Sequence, residues 1–312
     1  LRGEQLLGEE RGPRARGRTD VLLAELRERV RLCPRRIEAA AVFGELLRRR
    51  EAAALVRALD PICRMQDLKG KKIGLSKSLN VIKNDWWRIQ EHQGIELMLM
   101  LNDMTMDDVQ IVEFPYPDDW YDKPEMLTPM ENPNEYQLKR DHKHDLAFRP
   151  LETALEGGVI DAMYSQSKVL SVLTEETGKF KSIEDLSRYP DWTLQGANVP
   201  ATLTVTDVAC KEHPELIVAL LKGLIKVGRW ANEHKRAACA ILNKQTYYLD
   251  EEDTYEGIRR VDMVPSLSVR NLQSLQINKD FMVKNGYIEH DFEVFEWAAP
   301  EFLEMAAKEL LE

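Results

Sequence analysis

Asp67-Leu68-Lys69-Gly70-Lys71-Lys72-Ile73-Gly74-Leu75-Ser76-Lys77-Ser78 is the stretch from which the fold can be read. Gly70 supplies a turn, Lys71 to Leu75 read as a strand, and Leu79 to Arg88 follow as a helix. A strand, then Gly74-x-Ser76-x-Ser78, then a helix is an arrangement for holding an anion. The first turn of a helix has unpaired N–H groups and a partial positive charge, and Ser76 and Ser78 add hydroxyl donors. Ser78 reads equally as the cap of its own helix.

Downstream, Ile95, Leu97, Met98, Leu99, Met100 and Leu101 mark a further helix, broken at Asn102-Asp103. Val109 to Phe114 alternate as a strand, which completes a strand-helix-strand unit and points to a parallel sheet. Pro115 to Arg140 hold five prolines with Tyr116, Trp120 and Tyr121, and fit a long loop rather than a regular element. Leu151 to Gly157 read as a short helix ended by glycine, Val159 to Ser165 as a buried strand, and Val169 to Thr177 as a helix. Leu203 to Thr206 read as a strand. His213-Pro214-Glu215 opens a long amphipathic helix, and helical signals recur over 236–242, 251–260 and 269–285. Pro300 stands in the first turn of a terminal helix.

These pieces, in this order, resemble the solute-binding-protein superfamily of sulfonate, nitrate and thiamine-precursor uptake. Asp67 to Ser76 is like that superfamily's crossing into its second lobe, Gly158-Val159-Ile160-Asp161-Ala162 like a strand facing the cleft, and His213-Pro214-Glu215-Leu216 like its return helix. Within the superfamily the chain resembles the aromatic sulfinate desulfinases. The residues that carry this are Pro61-Ile62, Asp107-Asp108-Val109, Asp161-Ala162-Met163-Tyr164-Ser165 and, above all, Trp297-Ala298-Ala299-Pro300-Glu301-Phe302-Leu303.

The resemblance implies an α/β, two-lobed periplasmic-binding-protein-like fold with a ligand cleft and an incomplete first lobe. It divides the chain into an Arg-rich leader over 1–59 that is foreign to the fold, lobe one over 60–66 and 196–312, and lobe two over 67–195. It implies a small organic anion as ligand, an aromatic sulfonate, sulfinate or carboxylate. Ser76 and Ser78 would hold it, with Trp86, Trp87, Tyr164 and Trp192 as ring contacts. No cofactor is expected. The enzyme reading is hydrolysis of a carbon–sulfur bond in a cytoplasmic protein. The receptor reading is a periplasmic protein that serves an ABC-type permease.

Those desulfinases are understood to use a Cys, a His and an arg-x-gly-gly turn, all before the crossing phrase. Upstream of Asp67 this sequence has no His and no such turn, and Cys33-Pro34 lacks the expected neighbours. No catalytic residue is therefore assigned, and the expectation is a poorly active chain, with an inactive truncated or frameshifted copy as a third reading.

Charge divides the chain at the same place. Residues 1–59 hold 14 Arg, no Lys and 9 acidic residues, a net +5; residues 60–312 hold 29 basic and 44 acidic residues, a net −15. The leader reads as a helical extension over Val21 to Arg31 and Ile37 to Leu59, as a basic arm, or as an out-of-frame stretch of a GC-rich gene. The overall charge of −10 argues against nucleic acid as a partner. No apolar run approaches the roughly 18 residues of a membrane span, so no membrane insertion is expected. No secretory series of charged, apolar and small residues is visible. Cys33, Cys63, Cys210 and Cys239 are too far apart for a zinc motif or disulfide framework. His142 and His144 lie in a charged loop, where no metal site is expected.

Overall fold

The computed structural model describes residues 37–42, 52–79, 85–116, 150–166, 178–191, 193–194, 202–243, 251–259 and 261–311. Within them the chain runs β1 (Ile37–Val42), β2 (Ala52–Arg57), β3 (Lys72–Ser78), α1 (Trp86–Met100), β4 (Gln110–Tyr116), α2 (Pro150–Glu156), β5 (Ala162–Gln166), β6 (Phe180–Asp185) and β7 (Thr202–Thr206). Helices follow: α3 (Asp207–Glu212), α4 (Pro214–Glu233), α5 (Lys235–Asn243), α6 (Glu251–Ile258), α7 (Val269–Lys284), α8 (Val294–Trp297) and α9 (Pro300–Glu309).

A mixed five-stranded sheet has the order β4-β3-β5-β2-β6. β3 runs parallel to both β4 and β5, while β2 runs antiparallel to β5 and β6. The strand period of two distributes β2 between both faces. Ala52, Ala54 and Val56 join a core with Ile95, Met98 and Leu99 of α1, whereas Ala53 and Leu55 join one with Leu151 and Leu155 of α2. Helices thus cover both faces of the sheet, the α/β arrangement expected from the strand-helix-strand pattern.

The helical reading of Ile37 to Leu59 is corrected over the described residues. Ala52 to Val56 are wholly buried in the sheet, and Ile37–Val42 pair antiparallel with β7. Alanine favours helix in isolation, but here small side chains fit a strand enclosed between two neighbours, and tertiary packing overrides propensity. Arg57 fixes the stretch further. Its Nη1 donates to the carbonyls of Leu155 at 2.9 Å and Ile160 at 2.7 Å, across the turn between α2 and β5. β2 and its anchoring arginine thus belong to the same sheet as β3, β4, β5 and β6.

A third core joins α4 and α9, where Ile217, Val218, Leu221 and Ile225 pack on Ala299, Phe302 and Ala306, with Leu203 and Val205 of β7 against them. The Trp297-to-Leu303 phrase contributes two of these buried residues, so its apolar positions serve packing. Polar contacts join α7 and the turn after it to α1: Asn278 Nδ2 donates to Gln93 Oε1 at 2.8 Å, and Lys284 Nζ pairs with Glu96 Oε1 at 2.5 Å. Among the described residues no helix is long and apolar enough to cross a membrane.

Candidate functional site

In open α/β sheets ligands gather beyond the carboxyl ends of the strands. At that end β3 and β4 stay paired through Ser78 and Tyr116. The helix α1 begins only at Trp86, with Asp85 as its cap. Here the reading from sequence is corrected: the strand does not end at Leu75 but runs on through Ser76 and Ser78, which the sequence placed between strand and helix. The helix Trp86–Met100 joins the end of the first helical stretch read there to the second, and residues 80–84 of the first lie outside the described residues.

Asp85 ties three elements together. One oxygen accepts from Arg88 N–H at 3.2 Å and from the Tyr116 hydroxyl at 3.0 Å, and the other from Ser78 N–H at 2.5 Å. The carboxylate thereby does what Ser78 was expected to do for the helix. Ser76 is held just as closely. Its N–H donates to Glu91 Oε2 at 2.6 Å, its hydroxyl to Oε1 at 2.8 Å, and its carbonyl accepts from Arg88 Nη1 at 3.1 Å. The N–H groups of Ser76 and Ser78 thus meet carboxyls of the chain itself.

Arg88 bridges outward. Its Nη2 pairs with Glu113 Oε1 at 2.8 Å, and Lys77 Nζ reaches the other oxygen of that carboxylate at 2.5 Å. The hydrogen bond from Lys77, then the Arg88 charge, hold Glu113 below the usual carboxylate range. Arg88 also hydrogen-bonds Tyr287, whose hydroxyl lies 2.8 Å from His92 Nδ1. Burial raises the Tyr287 phenol and lowers His92, so the His92 ring is neutral near pH 7. Phe281 meets the same ring edge to face at 5.1 Å.

Glu91 is the most perturbed group. Burial pushes its carboxyl up to about 8, against the pull of the Ser76 donors, and the charges of Glu152 and Asp85 push the same way. At neutral pH it carries a proton, so the cluster holds a guanidinium, a neutral imidazole, a neutral carboxyl and two phenols close to one strand end, beside the carboxylates of Asp85 and Glu113 and the ammonium of Lys77. Such a set can receive an anionic head group and exchange a proton with it.

Of the other expected contacts, the side chains of Tyr164 and Trp87 are described. Tyr164 is 3% exposed, in the core between β5 and α1. A Cβ on Gly94 would lie 2.1 Å from its ring, so the helix approaches that closely only because residue 94 is glycine. Trp87 is half-buried in the first turn of α1. The side chain of Trp86, all of Trp192, Cys33 and the His142–His144 pair lie outside the described residues. Among the described residues no His, Cys, Asp and Glu group is arranged to hold a metal. Cys63, Cys210 and Cys239 are free thiols, exposed, half-buried and buried in turn.

Sequence reasoning passed over Asp85, Arg88, Glu91, His92 and Tyr287. A signal for three of them was present. Arg88 and Glu91 sit seven and four residues before the buried Ile95, and His92 seven before Leu99, so ionisable groups continue the core face of a helix. Tyr287, far along the chain, carries no local signal.

No family model matches the chain. Among curated proteins it is 26% identical over 271 residues to 2'-hydroxybiphenyl-2-sulfinate desulfinase of Rhodococcus erythropolis, covering 80% of this chain and 69% of the relative; the Rhodococcus qingshengii protein gives the same figures. Among solved structures it is similar to the desulfurization enzyme DSZB, with a TM-score of 0.65 and 22% identity over 89% of this chain and 81% of that one. A point mutant of DSZB in complex with biphenyl-2-sulfinic acid gives a TM-score of 0.61 at 19% identity, over 89% and 80% of the two chains. The periplasmic sulfonate-binding protein SsuA of Methylobacillus flagellatus KT gives 0.54 at 18% identity, over 88% and 70%. By sequence the chain is homologous to 2'-hydroxybiphenyl-2-sulfinate desulfinase, and by architecture it is an α/β protein of the periplasmic-binding-protein-like fold.

Proposed function

We propose that the chain binds a small aromatic sulfinate or sulfonate at the carboxyl ends of β3 and β4, and that the protein hydrolyses the carbon–sulfur bond of an aryl sulfinate. One observation carries the reading: at the strand ends where this fold class takes ligands, Ser76 is held by Arg88 on its carbonyl and by the buried, neutral Glu91 on its N–H and hydroxyl, in a chain homologous to a sulfinate desulfinase. Arg88 supplies the charge for the sulfinate oxygens. Ser76 and Ser78 form the floor through the carboxyls they hold, and Trp87 offers a ring face. Trp86, Tyr164 and Trp192 are the further ring candidates. In the balanced reaction an aryl sulfinate and water give the arene and hydrogen sulfite; the water proton goes to the ring carbon and its oxygen to sulfur. Lobe two is taken as 67–195 together with β2, and lobe one as the return half.

The test is titration of the full chain with biphenyl-2-sulfinate by calorimetry and tryptophan fluorescence, with sulfite release followed in parallel. Saturable binding is expected, weakened about tenfold or more in Arg88→Ala, a loss of about 1.4 kcal/mol. Absence of binding at millimolar ligand, or an Arg88→Ala protein that binds equally well, contradicts the proposal. The likeness to SsuA favours a second reading, a sulfonate receptor serving an ABC-type permease. Under it the ligand is bound and recovered unchanged, with no sulfite formed.

A further inference from the structure

We propose, resting on the anion-binding reading above, that Glu91 is a proton-operated gate: with its proton it adds no charge beneath the strand end that Arg88 reaches, and without it the site repels an anion. The geometry starts at Ser76, whose N–H and hydroxyl both end on the Glu91 carboxyl while its carbonyl ends on Arg88. Glu91 is 7% exposed, so its charge is not shared with water. The groups that act on it are Ser76 of β3, Glu152 of α2, Asp85 at the cap of α1 and Tyr287 beyond α7, while Arg88, three residues before it on α1, holds the Ser76 carbonyl. Glu152 is itself buried. Protonated, Glu91 adds no charge to this enclosure. Ionised, it adds a negative charge beside Glu152 and Asp85, one helical turn from Arg88. It then opposes any bound anion across a poorly screened medium.

The gate works in the range where the site already sits, since the carboxyl titrates at about 8. Linkage makes it reciprocal: an anion that prefers the protonated form also holds that proton more tightly, so binding near pH 8 takes up a proton. Glu91→Gln isolates the effect. A glutamine carbonyl accepts from Ser76 N–H and its amide donates to the Ser76 hydroxyl, which keeps the clasp and removes the ionisation.

The experiment measures the affinity of the full chain for biphenyl-2-sulfinate by calorimetry between about pH 6.5 and 9.5. It is run in two buffers of different ionisation enthalpy, so that proton uptake is read directly. In the unsubstituted protein, affinity is expected to fall about tenfold or more above pH 8, with proton uptake on binding near that pH. Glu91→Gln is expected to bind with a flat profile and no uptake. A flat profile without uptake in the unsubstituted protein overturns the gate and leaves the site standing. So does an equal decline in both proteins. The uptake measurement needs no variant, so it decides even if Glu91→Gln folds poorly. If neither protein binds the sulfinate at any pH, the anion-binding reading fails, and the gate with it.

Discussion

Replacing Glu91 by Gln has a consequence for stability that needs no ligand. The folded carboxyl titrates at about 8 against an ordinary value of 4.5. Between those values the unfolded chain releases the proton and the folded chain keeps it, so rising pH favours unfolding. This destabilisation is absent below about pH 4.5, grows through the interval, and levels off above about 8, where it reaches on the order of 3–5 kcal/mol. Urea denaturation of Glu91→Gln is therefore expected to show a higher midpoint than the parent at pH 8, and a smaller difference at pH 5. Arg57→Ala tests a different atom set. It strips the donor from the Leu155 and Ile160 carbonyls, and a loss of about 1–3 kcal/mol is expected in the same assay. Equal stability in that variant would mean that the 52–57 strand is not anchored as described. Glu91 was partly legible in the sequence, since it continues the Ile95 and Met98 face of a helix. Its partner Ser76 was read as an anion ligand because a serine after a strand looks the same whether it meets a ligand or a carboxyl of its own chain.

Helix α1 and strand β2 show what sequence could and could not give about elements. The strand-helix-strand order, the glycine-terminated α2 and the proline-opened α4 and α9 were all legible, because each follows from periodicity or from Gly and Pro chemistry. The start of α1 was not, because Ser78 and Asp85 are both good caps; parallel pairing of β3 with β4 as far as Tyr116 decides between them. Nor was β2, since Ala-Ala-Ala-Leu-Val has no period of its own and becomes a strand only between β5 and β6. The fit of α1 to the sheet can be probed at Gly94. A methyl group there meets the Tyr164 ring at 2.1 Å, so Gly94→Ala is expected to cost about 1–3 kcal/mol despite alanine's better helix propensity. Tyr164→Leu in the same chain is expected to recover part of that loss. A Gly94→Ala protein as stable as its parent would show that the close packing is wrong.

The sheet and the C-terminal helices meet along α1, where Gln93, His92 and Glu96 face Asn278, Tyr287 and Lys284. Arg88 lies in that seam and at the strand ends at once, so the seam and the proposed anion site share a residue. Gln93→Ala combined with Lys284→Ala removes two of these polar links and leaves those of Tyr287 with His92 and Arg88. Hydrogen exchange is expected to quicken in α7 with little change in β3, because the strand keeps its own ladder; unchanged exchange in α7 would mean that the seam contributes nothing. The likeness to desulfinases and sulfonate-binding proteins fixes the architecture, while the proposed head-group contact is with Arg88. A crystal structure of the full chain with biphenyl-2-sulfinate decides that point. The sulfinate oxygens are expected within hydrogen-bond distance of the Arg88 guanidinium, at the carboxyl ends of β3 and β4. A sulfinate seated elsewhere, with Arg88 still bound only to Ser76, Glu113 and Tyr287, would contradict the account.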